Sequence, residues 1–259
     1  MSQRPETICH MITSLDAHVE VDRWCQTEGA DRDEQVELYF KLQETFGARG
    51  YIVGRMTMEP YAEAGIISHE EVEVLPKPSR TIHIADNAQE SLAIVLDPKG
   101  KLHWKDGMLD GDHLLMVLGS EVSDFHLKEL AARGVSYLIA PEADIDPSWL
   151  LDQLAIHFDA KRVMVEGGGI INGLFLKAGL IDEISLLMVP AIDGAQGARN
   201  VFDTGKMSLK DSLKLSLLSV EAKPHQTVHL RYKVSNYRTF QRKASSTMAK
   251  AEEACRRDG

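Results

Sequence analysis

With 259 residues, 44% of them hydrophobic, the chain can bury one large α/β core or two small ones, and no linker-like run divides it before its charged C-terminal stretch. A formal net charge of −10 argues against a general binder of nucleic acid or anionic membrane, so any phosphate ligand would have to be held by local cations and backbone amides. Cys9, Cys25 and Cys255 form no Cys-x-x-Cys pair and no apolar run approaches membrane-spanning length, which points away from a disulfide scaffold, a cysteine-bound zinc or a transmembrane protein and toward the cytoplasm.

Residues 7–13 (Thr-Ile-Cys-His-Met-Ile-Thr) are β-leaning and mostly apolar, as in a buried strand, and Ser14, Asp16 and His18 follow at its mouth. Over 31–46, the apolar Val36, Leu38, Tyr39, Phe40, Leu42 and Phe46 recur as one helical stripe, with acids at the start and Gly47 and Gly50 closing it. A short strand is predicted at 51–54, and Arg55, Met56 and Thr57 lead from it into a helical turn. The acidic stretch 64–78, closed by Pro76 and Pro78, reads as a surface excursion. Strands are predicted at 81–85, 92–96, 114–118, 135–140 and 162–165, with helices at 122–133 and 148–158. Such alternation implies a largely parallel sheet covered on both faces.

Val163, Met164 and Val165 then run into Glu166-Gly167-Gly168-Gly169, which opens directly onto the helix-like residues 170–179. Glycines remove the Cβ atoms that would keep a ligand off the backbone, and the first amides of a helix attract an anion, so this turn reads as a phosphate or pyrophosphate cradle. It does not spell the Rossmann fingerprint, because Asn172 stands where the third glycine or alanine belongs. A strand at 183–190 and an antiparallel pair at 212–220 and 227–234 follow, giving one expected domain over 1–235 and a solvated tail over 236–259. His225 and His229 are expected to be a solvent-facing pair in the last strand, and no metal site is expected.

Three motifs each follow a predicted strand: Ser14-Leu15-Asp16, Gly54-Arg55-Met56-Thr57 and Glu166-Gly167-Gly168-Gly169. With the run Gly179-Leu180-Ile181-Asp182-Glu183-Ile184, they resemble the reductase domain of riboflavin biosynthesis, found as the C-terminal half of the bacterial bifunctional deaminase-reductase and as free-standing archaeal and fungal reductases. The resemblance extends from about Thr7 to Val234. It implies an α/β fold of the dihydrofolate-reductase-like type: three αβα layers, a mixed and mostly parallel central sheet, and a C-terminal antiparallel edge. The deaminase half is missing, since no His-x-Glu followed by Pro-Cys-x-x-Cys occurs.

The resemblance further implies NADPH, with Gly54, Arg55 and Thr57 at its phosphates and Gly167, Gly168, Gly169 and Ile170 along the pyrophosphate and nicotinamide. Lys99, with Lys101 and Arg80, is a candidate for the ribose 2′-phosphate. Substrate contacts fall on Ser14, Asp16 and Glu166, and the two acids are the catalytic candidates, divided between proton transfer and hydroxyl binding. The implied activity is NADPH-dependent reduction of a phosphoribosylamino-pyrimidine or a related small heterocycle. A pterin or dihydrofolate reductase and a non-catalytic NADPH-binding protein stay open on the same scaffold. A homodimer is expected, as is common in the family, and no nucleic-acid or membrane partner. The sequence departs from the family at His10, where many bacterial members carry Lys, at Ala17 and Ala195, where glycine is usual, and in the length of the 64–78 excursion.

Overall fold

Strand β1 (Glu6–Thr13) is buried along all but its first residue, because it lies in the middle of a sheet covered on both sides. The computed structural model describes residues 4–62, 72, 74–86 and 91–236. After β1 come α1 (Arg32–Glu44), β2 (Gly50–Gly54), α2 (Arg55–Met58), β3 (Ile82–His83), β4 (Leu92–Leu96), β5 (Met108–Leu109) and β6 (Asp112–Leu118). They are followed by α3 (Asp124–Ala132), β7 (Ser136–Ile139), α4 (Pro147–Phe158), β8 (Arg162–Val165), α5 (Gly169–Lys177), β9 (Glu183–Met188), β10 (Leu213–Lys223) and β11 (Thr227–Asn236).

All strands join one sheet in the order β10-β11-β9-β1-β8-β2-β4-β6-β7-β3, with β5 paired to β6 outside that path. The run from β9 to β7 is parallel throughout, while β11 and β10 add an antiparallel edge and β3 closes the other side antiparallel to β7. This is the dihydrofolate-reductase-like architecture that the resemblance implies. One face carries Ile52, Ile94, Leu115 and Val165 against Leu150, Leu151 and Leu154 of α4 and Phe175 of α5. The opposite face carries Val53, Ala93, Val95, Leu114 and Met116 against Met58 of α2 and Leu127 and Leu130 of α3, with Tyr39 and Leu42 of α1 packing farther along it.

Local chemistry sets the ends of these elements. Asp31 caps α1 in a reciprocal capping box with Glu34, and Asp146 caps α4 ahead of Pro147 at its first position. The strands predicted at 92–96 and 162–165 form as predicted, but 81–85 keeps only Ile82–His83, a short edge pairing, and β5 was not expected. No helix among the described residues is long and apolar enough to cross a membrane.

The pair His225 and His229 is corrected. His225 lies in the turn before β11 with φ +59, and His229 is buried with Nε2 2.7 Å from Ser185 Oγ, so the two do not form a solvent-facing pair. Packing beside Ser185 of β9 and the ring of His10 explains it; His10 is sealed there too, with Nδ1 2.9 Å from Ser185 Oγ and Nε2 3.1 Å from the Tyr39 carbonyl. Most of the 64–78 excursion and the tail beyond Asn236 lie outside the described residues.

Candidate active site

Because β1, β2, β4, β6, β7 and β8 are parallel, their carboxyl ends share one edge of the sheet, and all three motifs of the sequence follow those ends. The second and third are joined directly. The Gly54 amide donates to the Gly167 carbonyl at 2.7 Å, and the Gly168 amide donates to Thr57 Oγ1 at 2.9 Å. Thr57 therefore acts first as an acceptor that shapes the glycine turn, and its hydroxyl hydrogen is left to donate elsewhere.

The glycines of this turn differ in role. Gly167 has φ +94, a conformation in which a side chain is strained, and the peptide that joins it to Gly168 is cis. A Cβ on Gly169 would lie 2.1 Å from the Asn200 carbonyl oxygen, so that glycine serves close packing of the 200–203 segment on α5. Asn172 holds the same segment through its Nδ2, 2.8 Å from the Val201 carbonyl. A Cβ on Gly54 would lie 2.8 Å from Ile171 Cγ1, again a packing demand. Gly168 alone of the three consecutive glycines has neither a positive φ nor a close neighbour: its Cβ would meet only Thr57 Oγ1, at 3.7 Å. Gly168 thus presents open backbone, and the amides of Gly169 and Ile170, at the first positions of α5, have no acceptor one turn back in the helix. The residues present fit a pyrophosphate-bearing cofactor.

Ser14 and Asp16 follow β1, and Glu166 follows the neighbouring strand β8; because Cys9 pairs with Val165, Glu166 stands beside the middle of β1, several residues short of Ser14. Ser14 Oγ donates to Asp16 Oδ1 at 2.6 Å, the Gly194 amide donates to Asp16 Oδ2 at 2.8 Å, and His18 Nδ1 stands 3.1 Å from Oδ2. The Ser14 hydroxyl first, and the Gly194 amide after it, hold the Asp16 carboxyl well below the usual carboxylate range. Asp16 is therefore an ionised acceptor at neutral pH and has no proton to give. Glu166 is its opposite. Burial pushes its carboxyl up to about 8, the Asp112 charge adds to the rise, and the nearby Tyr39 hydroxyl partly offsets it. Although Glu166 is half-buried as a residue, its Oε1 is sealed from solvent and has no hydrogen-bond partner.

The cations at this edge are less available than the sequence suggests. Arg55 pairs with Glu59 at 3.0 Å, one turn along. Arg80 spends its guanidinium on Asp124 and on the carbonyls of Ser120 and Val122, so it braces the start of α3. Lys99 is exposed in the turn after β4. A cavity of about 600 Å³ is lined by Arg80, Ser120, Ala140 and Trp149, and neither Lys99 nor any glycine-turn residue lines it.

The family model described as the RibD C-terminal domain matches residues 5–229. The chain belongs to this family. Among curated relatives, the 2,5-diamino-6-ribosylamino-4(3H)-pyrimidinone 5′-phosphate reductase of Methanothermobacter thermautotrophicus is 25% identical over 143 residues, covering 54% of this chain and 66% of the relative. The enzyme of that name from Kluyveromyces lactis is 30% identical over 147 residues, covering 52% of this chain and 54% of the relative. The matches thus span less than two thirds of these relatives. A crystal structure of a pyrimidine reductase-like protein from Corynebacterium diphtheriae has the same fold, with TM-score 0.60, 16% identity, and coverage of 90% of this chain and 92% of that one.

Within the RibD C-terminal family fold, Ala17 gains a physical meaning. It sits at φ +63 between Asp16 and His18, a backbone state that suits the glycine expected there. Sequence reasoning missed Tyr39 and the 193–194 amides as the partners of the two acids. Tyr39 read as one more apolar residue on a helical stripe, and Gly194 lies far from Asp16 in sequence.

Proposed function

We propose that the chain is an NADPH-dependent reductase acting on a phosphoribosylamino-pyrimidine of riboflavin biosynthesis. The observation that carries this reading is Glu166: a carboxyl held protonated near neutral pH, one residue before a glycine turn suited to pyrophosphate. The names of the two curated relatives support the substrate class.

In this reading Gly168, Gly169 and Ile170 hold the pyrophosphate side of NADPH, with Gly54, Arg55 and Thr57 around them, and Lys99 meets the 2′-phosphate that distinguishes NADPH from NADH. NADPH supplies a hydride when bound. Glu166 gives the matching proton to the ribosylamine nitrogen, so that hydride and proton together add across the C=N bond of the ring-opened substrate. Asp16, kept ionised by Ser14 and Gly194, accepts a substrate hydroxyl or N–H. Leu15, Met56, Ile170 and Ile192 are each more than half exposed and follow the carboxyl ends of the adjacent strands β1, β2, β8 and β9, where they offer an apolar rim for a flat ring.

The reading includes a homodimer through β10, supported by Leu215, Leu217, Leu218 and Val220, all at least 50% exposed on that edge. The deciding experiment is NADPH oxidation against a panel of the deaminated and undeaminated phosphoribosylamino-pyrimidines, dihydrofolate and dihydrobiopterin. Turnover of a pyrimidine alone supports the proposal. Turnover of a pterin alone, or of nothing despite NADPH binding, rejects it.

A further inference from the structure

Beneath the turn that follows β4, three side chains of metal-ligand type converge without a part in the reaction above. The ligand atoms of His103, His126 and Glu129 all lie within 4.8 Å of one another. His126 and Glu129 stand three residues apart on α3, which puts them on one face of the helix, and His103 comes from the segment packed against it. His103 Nδ1 lies 2.8 Å from Glu129 Oε2, and His126 Nδ1 lies 3.5 Å from the same oxygen. The side chains of His126 and Glu129 are 5% and 3% exposed, whereas that of His103 is 39% exposed and gives a path in from solvent.

Hydrogen bonding accounts for only part of this group, the His103 Nδ1 contact to Glu129 Oε2. Neither ring nitrogen of His126 completes a hydrogen bond, although a buried imidazole ordinarily satisfies both. Asp97 lies near enough for its charge to act on His126; it is fully buried, and its Oδ1 has no partner while Oδ2 accepts the Lys101 and Leu102 amides. Donors about 2.0–2.1 Å from a tetrahedral zinc ion stand about 3.3 Å from each other. The separations of 2.8 and 3.5 Å bracket that spacing.

We propose that His103, His126 and Glu129 form a binding site for one divalent transition-metal ion of the zinc class. Two imidazoles and one carboxylate favour Zn²⁺, Co²⁺ or Ni²⁺ over Mg²⁺, which takes oxygen ligands. The ion would tie α3 to the turn that carries Lys99, since Gly100 of that turn packs so closely on His126 that a Cβ there would lie 2.7 Å from the ring. The site stands apart from the reductase reading and is tested without NADPH or substrate.

The test uses the untagged full chain, stripped with chelator and titrated with Co²⁺ under visible absorption and with Zn²⁺ by calorimetry. One equivalent of Co²⁺ should give ligand-field bands that Zn²⁺ abolishes and Mg²⁺ leaves unchanged. Glu129→Gln and the solvent-reachable His103→Gln should each weaken uptake at least about tenfold, and Zn²⁺ should raise the melting temperature of the wild type but not of His103→Gln. Absence of one-equivalent uptake, or uptake unchanged in His103→Gln with its fold verified by circular dichroism, overturns the assignment.

Discussion

Thr57 Oγ1 accepts the Gly168 amide at 2.9 Å, so the motif after β2 fixes the shape of the glycine turn after β8. Thr57→Val keeps the shape and removes the acceptor. A hydrogen bond of this kind is worth about 1 kcal/mol, and NADPH affinity should fall about five- to tenfold by fluorescence titration. Gly168→Ala meets only a 3.7 Å contact, so it should fold normally and yet lose NADPH affinity more severely, because its Cβ occupies the open side of the turn. Unchanged affinity in a folded Gly168→Ala would remove the cradle.

Ala17 at φ +63 carries a strain that glycine would not. A left-handed non-glycine residue costs about 1 kcal/mol or more, partly offset by the greater unfolded-state entropy of glycine. Ala17→Gly should therefore raise unfolding stability by up to about 1 kcal/mol in urea melts. A loss of stability would show that the local backbone relaxes at no cost.

The exposed apolar residues of β10 carry the expectation of a dimer. Leu217→Lys places a charge on that edge without touching the core, and light scattering at micromolar concentration should shift from dimer toward monomer mass. A wild type already monomeric there would contradict the assembly.

His10 is neutral in the fold, with burial pushing its imidazole down to about 4, and burial also lowers His229. A depressed histidine contributes stability that is present above its unfolded value of about 6.5 and is lost as pH falls toward 4, since the unfolded chain takes up the proton first. Acid should destabilise the wild type across that window. His10→Gln should start less stable at pH 7 but lose less on acidification, as read by thermal melts from pH 7 to 4.

The sheet was legible because parallel strands buried on both faces are written as short apolar runs, and 92–96 and 162–165 became β4 and β8 without adjustment. The order of motifs along the chain was legible for a related reason: each follows a strand that the topology sends to the same edge. What stayed hidden were partnerships between distant segments. Asp16 and Gly194 meet across the β1–β9 pair, Arg80 reaches Asp124, and His103 joins His126 and Glu129 from another element, none of which leaves a local spacing to read. His229 read as a polar strand residue, and only its packing beside Ser185 and His10 buries it.

Glu166 and Asp16 have opposite titration states, and the proposed proton transfer rests on that difference. Glu166, pushed up to about 8 by burial, can give a proton at neutral pH, whereas Asp16 stays ionised. Glu166→Gln keeps the shape and loses the proton, so turnover should fall by about a hundredfold or more while NADPH affinity stays within about twofold. In the wild type, kcat should decline as pH rises through about 8, because the protonated form is consumed, and that limb should vanish from the residual activity of Glu166→Gln. Stability gives an independent reading. A carboxyl raised in the fold favours the native state least at high pH, so Glu166→Gln should gain on the wild type progressively between about pH 5 and 8. Asp16→Asn should instead raise KM more than it lowers kcat, as expected for an acceptor of a substrate hydroxyl. If Glu166→Gln kept full turnover with the alkaline limb intact, the proton would come from another group, and Glu166 would be a buried structural carboxyl.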